Sequence, residues 1–345
     1  MKTALLHYWL TNVRGGEKVL SALGEMFPDA DVFTHAYAPG NMAGMFDGRR
    51  VTESFIARLP MGRRHPQAYL PLMPAASRSL DLDGYDLVIS SESGPIKGIR
   101  KPKGSRHICY CHTPMRYLWD MHDEYYRGAG PLGKLAMSLF TPYLRREDLK
   151  SAESVDVFVA NSAFVAERIR RIYGRDSVVV HPPVDVGFFS AEERKPGDCY
   201  LFAGAPVAYK RLDLARAACE RMGRRLVVAG GGNVTGEELR ALYAGARALL
   251  FPGLEDFGIV PVEAQAAGCP VIAYGAGGAL ETVAEGRTGL FFREQTVESL
   301  CAAIEEFESR KWPCEACREN AARFAAPSFK ERMREVVAHA VGHMV

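Results

Sequence analysis

Three groups of residues in this chain have the types and spacing that handle phosphate. The first is Arg14-Gly15-Gly16-Glu17-Lys18. Glycines let backbone approach a ligand closely, and a helix start offers free N–H groups. The second is Lys210-Arg211, two cations at the start of a predicted helix. There they oppose the helix dipole by ~0.3–1 kcal/mol each when exposed, a penalty that a bound anion reverses. The third is Glu255-Asp-Phe-Gly-Ile-Val-Pro-Val-Glu263. Pro261 suits a first helical turn, so the amides of Phe257, Gly258 and Ile259 point out of a helix start, a seat for a diphosphate. Glu255 falls in the loop and Glu263 in the first turn, two carboxylates able to bind hydroxyls of a sugar and a ribose. Each group alone has an ordinary explanation: Gly-Gly turns are common, cations populate surfaces, and a first-turn acid favours any helix.

The other chemistry-bearing residues argue for less. Cys199, Cys219, Cys269 and Cys301 are scattered in apolar segments, as buried thiols in a reducing cytosol would be. Cys314 and Cys317 make one CxxC with no second pair to complete a four-ligand zinc site. His107, Cys109, Cys111 and His112 look like a metal cluster, but Arg106–Cys111 reads as a strand, whose alternate residues face opposite sides. No metal is expected.

These residues need a scaffold, and strand and helix patterns alternate along the chain, which argues an α/β fold with parallel sheets. Strands are predicted at 3–8, 31–34, 86–90, 106–111, 155–160 and 177–181. Helices are predicted at 16–26 and, with Ser162 as cap, at 162–173. Pro182-Pro183 stops regular structure, and 190–198, with Pro196-Gly197, reads as a linker. The alternation then restarts: strands at 199–203, 225–229, 248–251 and 270–274, helices at 211–222, 237–246 and 261–267. Ser328-Phe-Lys-Glu331 reads as a capping box opening a last helix, with Phe329, Met333, Val336, Val337 and Ala340 on one stripe. The division is therefore 1–190, 191–325 and a terminal helix 326–345. In open α/β sheets ligands sit beyond the carboxyl ends of the strands, so the loops there are where chemistry belongs.

Length and composition suit a soluble two-domain protein. No apolar run approaches the ~18 residues of a membrane span. Met1–Leu10 imitates a secretion signal but lacks a small-residue cleavage site, and reads as a first strand. Residues 1–190 hold 24 Lys+Arg and 20 Asp+Glu, a balance of +4; the remainder hold 19 and 21, or −2, giving the net +2. Lys97, Arg100, Lys101, Lys103 and Arg106 cluster without an acid, and Arg49, Arg50, Arg58, Arg63 and Arg64 form a looser group. Solvated surface is the plain explanation; a patch facing anionic lipid or a phosphate-bearing acceptor is the sharper one. No nucleic-acid-binding motif accompanies them.

The segment Phe251-Pro-Gly-Leu-Glu-Asp-Phe-Gly-Ile-Val-Pro-Val-Glu-Ala264 resembles the signature of retaining glycosyltransferases of family four, which have the two-Rossmann GT-B fold. Further segments match in order: His7-Tyr-Trp-Leu-Thr11, Arg14-Gly-Gly-Glu-Lys-Val19, Cys111-His-Thr-Pro-Met-Arg-Tyr117, Asn161-Ser162, Tyr209-Lys-Arg211, Gly268-Cys-Pro-Val-Ile-Ala273 and Gly277-Gly-Ala-Leu-Glu-Thr-Val283. The resemblance implies two Rossmann-like domains facing across a cleft, with a terminal helix crossing back to the first. It implies hexose transfer from a nucleotide-sugar, GDP-mannose by the nearest-looking relatives, to a lipid-linked or other saccharide acceptor in surface polysaccharide synthesis. It also implies a cytoplasmic enzyme, peripheral on the inner membrane face, needing neither metal nor resident cofactor. Gly15 and Gly16 would place backbone against the diphosphate, Lys210 and Arg211 would neutralise it, and the amides of Phe257, Gly258 and Ile259 would seat it. Glu255 would hold sugar hydroxyls, Glu263 the ribose, and His112 the sugar or the charge developing in the transition state.

Two departures from the family pattern stand out. Ala205 occupies a position where relatives carry an arginine, removing one of two cations from the diphosphate. Gly230-Gly-Gly-Asn-Val-Thr-Gly236 leads almost directly into the next helix, where relatives have an additional helix and strand. The competing expectations are a non-catalytic binding or partner subunit and a dinucleotide oxidoreductase. The latter rests on Gly230-x-Gly232-x-x-x-Gly236 with Glu255 about 20 residues on.

Overall fold

The computed structural model describes residues 1–230, 232 and 234–342; Gly231 and Asn233 of the glycine-rich loop lie outside the described residues. Two compact units emerge, Met1–Val180 with the chain from Lys330 onward, and His181–Phe329. The first contains β1 (Thr3–His7), α1 (Gly15–Met26), β2 (Asp31–Thr34), β3 (Val51–Glu53), α2 (Met73–Arg78), β4 (Leu87–Glu92) and β5 (Arg106–Cys111). It continues with α3 (His122–Gly128), α4 (Pro131–Ser151), β6 (Val157–Ala160), α5 (Ala163–Tyr173) and β7 (Ser177–Val179). Its strands make one sheet in the order β3-β2-β1-β4-β5-β6-β7, parallel at every pairing. Parallel sheets are covered on both faces, and β1 and β4 are buried at every residue. Strand order reverses between β1 and β4. The crevice beyond their carboxyl ends is the switch point where such sheets receive ligands, and His7 and Ser91 are register partners there.

The second unit contains α6 (Val186–Ser190), β8 (Tyr200–Ala203), α7 (Leu212–Arg221), β9 (Leu226–Ala229), α8 (Gly236–Gly245), β10 (Ala248–Phe251) and α9 (Ile259–Ala266). β11 (Val271–Tyr274), α10 (Ala279–Thr282), β12 (Gly289–Phe292), α11 (Val297–Glu308), α12 (Cys314–Ala322) and the start of α13 (Ala326–Gly342) follow. Its parallel sheet runs β12-β11-β10-β8-β9, so its switch point lies between β8 and β10. Alternation along the strands sends Leu201, Leu249 and Val271 to one apolar layer and Phe202, Leu250 and Ile272 to the other. β9 is an edge strand, only half-buried over Leu226–Val228. Among the described residues no strand lies outside it, in keeping with the shortened stretch before α8.

Most predicted boundaries move by one or two residues, as helix and strand ends do. Larger differences have specific causes. The stretch 190–198 is not a free spacer: Arg194 donates to the carbonyls of Tyr243 and Ala244, and Gly197 N–H donates to Gly245 O. Phe189 packs into the second core, so the units divide after Val180 rather than after residue 190. Ser328 caps nothing, because α13 already begins at Ala326. The stripe on that helix does turn inward, with Phe329, Met333, Val336, Val337 and Ala340 buried.

The predicted basic cluster is overturned at Lys97. Its side chain is buried, with Nζ 2.8 Å from Glu92 and 2.5 Å from Asp148. Asp148 also accepts from Trp119 Nε1 (2.7 Å) and Tyr173 OH (3.0 Å). Lys101 pairs with Asp156 at 2.7 Å, and Arg106 faces the same carboxylate at 4.0 Å. Asp148 and Asp156 come from segments 51 and 55 positions beyond Lys97 and Lys101, which a local charge count does not register. Arg49 is likewise structural, donating to the carbonyls of Gly24, Phe27 and Ala30 around the end of α1. No helix of the described residues is long and apolar enough to cross a membrane.

Candidate active site

The proposed site residues gather in two groups, one at each switch point. In the first unit, His7 ends β1, and its Nδ1 lies 3.2 Å from Ser91 Oγ at the end of β4. Ser91 Oγ lies 2.8 Å from Nε2 of His112, which follows β5. His7 Nε2 faces Glu17 Oε1 at 3.5 Å, and the other oxygen of Glu17 accepts the Arg14 N–H at 2.9 Å, closing the start of α1. Gly15 opens that helix, one residue earlier than predicted. A Cβ on Gly16 would lie 3.3 Å from His7 Cε1 and 3.4 Å from His112 Nε2, so its bare backbone lets both imidazoles sit against the helix start. Burial lowers the His112 pKa to about 3 and keeps the ring neutral. Burial alone would raise the Glu17 carboxyl, but His7 and backbone N–H groups outweigh it and hold it below the usual range.

In the second unit, the ends of β8, β9 and β10 close around the turn Ala208–Lys210. The approach requires glycine: a Cβ on Gly230 would lie 2.3 Å from Gly204 O, and one on Gly253 2.7 Å from Lys210 Cα. Lys210 Nζ meets Glu255 Oε1 at 3.0 Å, with the side chains 16% and 17% exposed. Arg211 is the N-cap of α7 in the left-handed region at φ 55°, a conformation that costs a non-glycine residue about 1–2 kcal/mol. Its guanidinium turns to Asp213 at 3.2 Å. Glu255 is fixed through its backbone, since Gly278 N–H donates to Glu255 O at 2.9 Å.

α9 starts at Ile259 behind Gly258, and no side chain caps it. Phe257 can offer only backbone, because its ring is buried, 5.5 Å from those of His181 and Phe324. Glu263 is not in the first turn: α9 begins early enough to put it in the second, where it is buried and accepts from Tyr243 OH at 3.3 Å.

Sequence reasoning missed His7, Glu17 and Ser91 as a connected set. The available signal was a polar residue closing each apolar strand, in Thr3-Ala-Leu-Leu-His7 and Leu87-Val-Ile-Ser-Ser-Glu92. It also missed the His181–Glu281 pair at 3.0 Å. His107 is held by Ser90 Oγ (2.8 Å) and Ser154 O (3.1 Å), away from any metal role.

Comparison with known proteins bears on the fold and the family. The chain is similar to D-inositol 3-phosphate glycosyltransferases, that of Mycobacteroides abscessus at 27% identity over 226 residues, 52% of this chain and 51% of the relative. That of Nocardioides sp. is 32% identical over 195 residues, 40% and 43% of the two chains. The chain thus spans about half the length of these curated relatives. Among solved structures, Anabaena HepE in complex with UDP and glucose covers 98% of this chain and is itself fully covered, at TM-score 0.67 and 15% identity. Sucrose-phosphate synthase from Thermosynechococcus elongatus covers 99% at TM-score 0.72 and 16% identity, and is also fully covered. At such identities the likeness shows the fold, which is GT-B. The profile described as Glycosyl transferases group 1 matches residues 200–324, and that described as Glycosyltransferase Family 4 matches residues 13–188, just over half of the chain. With two Rossmann-like units, each gathering polar residues at its switch point, the chain belongs to glycosyltransferase family 4.

Proposed function

We propose that the protein is a retaining hexosyltransferase that takes its sugar from a nucleoside diphosphate donor. The observation that carries this reading is Lys210 paired with Glu255 at the β8–β10 switch point, beside the uncapped start of α9. Lys210, Arg211 and the amides of Gly258 and Ile259 would meet the diphosphate, Glu255 the hydroxyls of the sugar, and Glu263 the ribose. Gly15, Gly16 and His112 would meet the substrate at the first unit's own switch point. The acceptor hydroxyl oxygen attacks the anomeric carbon as the bond to the diphosphate breaks. The leaving phosphate keeps the bonding electron pair and receives the acceptor's proton, and preorganised positive charge stabilises it. No resident metal or cofactor enters this chemistry.

The proposed donor is GDP-mannose and the proposed acceptor a lipid-linked saccharide of surface polysaccharide synthesis. A UDP-hexose is the competing donor, favoured by the UDP and glucose held in HepE, and an inositol phosphate the competing acceptor, favoured by the names of the relatives. Attachment to the inner membrane face loses Lys97 as support. It is better supported by α4, which exposes Leu132, Leu135 and Leu139 at 83%, 66% and 66%. A binding subunit without turnover is the second reading, favoured by the exposed Ala205 and by the missing strand beyond β9.

Calorimetry with GDP-mannose, UDP-glucose and other sugar nucleotides, followed by transfer assays, tests the reading. One donor should bind, and Glu255→Gln and Glu263→Gln should each lower transfer about tenfold or more without unfolding the chain. Binding without transfer to any acceptor would favour the subunit reading; wild-type turnover in both variants would remove these carboxylates from the site.

A further inference from the structure

The side chains at the β1–β4 switch point line up as Glu17–His7–Ser91–His112, with contacts of 3.5, 3.2 and 2.8 Å; the last two are hydrogen bonds, while the first is an approach of a carboxylate to a buried His7 Nε2 that makes no hydrogen bond. Glu17, His7 and Ser91 are all buried, whereas His112 is half-buried. The chemistry of these groups gives the line a direction. The Glu17 carboxylate accepts the Arg14 N–H and, being ionised, would repel a lone pair on the buried His7 Nε2 that faces it at 3.5 Å, so in neutral His7 that nitrogen carries the hydrogen. A neutral imidazole has one donor and one acceptor nitrogen. His7 Nδ1 therefore accepts, and Ser91 O–H donates to it. With its hydrogen committed, Ser91 Oγ accepts from His112 Nε2–H. This leaves Nδ1 of His112 as a lone pair, since its one side-chain hydrogen bond among the described residues is that of Nε2 to Ser91.

We propose that Glu17, His7 and Ser91 are positioning residues that lock His112 in its Nε2–H tautomer, so that Nδ1 presents a hydrogen-bond acceptor to a hydroxyl of the bound substrate. This rests on the glycosyltransferase reading for the identity of the substrate, not for the tautomer itself. The line fixes both the ring plane and the polarity of His112 before any ligand arrives, and preorganisation of that kind is what a sugar-positioning group needs. A direction set at a helix start is thereby delivered, through two strand ends, to the loop after β5.

The test is nitrogen-15 NMR of the full chain with labelled histidine, without ligand, near pH 8, above the ordinary range of an imidazole; His112→Gln identifies the signal. The wild type should show His112 as the Nε2–H tautomer. Ser91→Ala should leave a mixture of tautomers, and Ser91→Thr, which keeps the hydroxyl, should restore the wild-type signal. Glu17→Gln places an amide that can donate to His7 and reverse every bond in the line, so it should move His112 toward the Nδ1–H form. With an active donor, Ser91→Ala should lower kcat about tenfold while changing KM little. An Nδ1–H signal in the wild type, or a His112 signal unmoved by both Ser91→Ala and Glu17→Gln, would overturn the proposal. Because the spectra need no donor, the line can fail while transfer is observed, and transfer can be absent while the line stands.

Discussion

Lys97 and Lys210 each meet a carboxylate beyond the end of a parallel strand, but their surroundings differ. Lys97, in the first unit, is 1% exposed and saturated by Glu92 and Asp148, with Tyr173 3.4 Å from its nitrogen. Lys210, in the second, is 16% exposed and has one carboxylate partner, Glu255. A buried cation with two buried anions ties its sheet to α4, because removing any member leaves uncompensated charge in a low-dielectric interior. A half-open pair contributes little to stability, and can exchange its partner for the oxygens of a ligand. The same residue types thus serve the frame in one place and, on the proposed reading, the ligand in the other.

The largest expected effect breaks the frame. Lys97→Met should cost about 3–5 kcal/mol, since Glu92 and Asp148 lose their counter-charge; denaturant unfolding of the first unit measures it. A loss below about 1 kcal/mol would mean that Lys97 is an ordinary surface cation after all.

Acid should separate the two units next. Burial lowers His35 to about 4, His107 to about 4 and His112 to about 3, and all three lie in the first unit. Above pH 6.5 neither folded nor unfolded chain protonates them. As pH falls, the unfolded chain binds protons that the folded one refuses, so stability is lost from about pH 6.5 until the folded groups titrate near 4 and below. Each group should cost about 1 kcal/mol over the first pH unit. Hydrogen exchange, corrected for its intrinsic pH dependence, should show the first unit opening before the second; simultaneous opening would contradict this.

Lys210→Met should do the reverse of Lys97→Met. Donor affinity should fall roughly 10- to 100-fold, from a charge-assisted bond of about 1.5–3 kcal/mol, while stability moves by less than about 1 kcal/mol. Calorimetry and unfolding on the same sample decide it, and equal damage to both would erase the distinction. The smallest effect is a gain: Ala205→Arg should tighten the donor, by at most about tenfold because the position is exposed and screened. Unchanged or weaker binding would show that this end of the site has been rebuilt around Lys210.

Much of this was legible without coordinates. The alternation of elements, the glycine pair opening α1 and the carboxylate-rich loop before α9 are local patterns, governed by propensity and spacing over a few residues. Arg106–Cys111 and Asp31–Thr34 were read to the residue. The weaker readings turned on a distant partner or on a backbone conformation that residue types alone do not reveal. Lys97 looked like surface because Asp148, 51 positions away, is invisible to a local charge count. Glu263 looked like a first-turn acid because Gly258, at φ 87°, starts the helix earlier than Pro261 suggests. Sequence by itself determined the two-unit α/β class and picked out the candidate phosphate-handling segments, since periodicity and turn chemistry are short-range properties. Only the tertiary structure decided that His7 stands opposite Ser91 and reaches Glu17 and His112, because strand order and register are set by packing of the whole sheet, and a hydrogen bond acquires its direction only when every neighbour is in place.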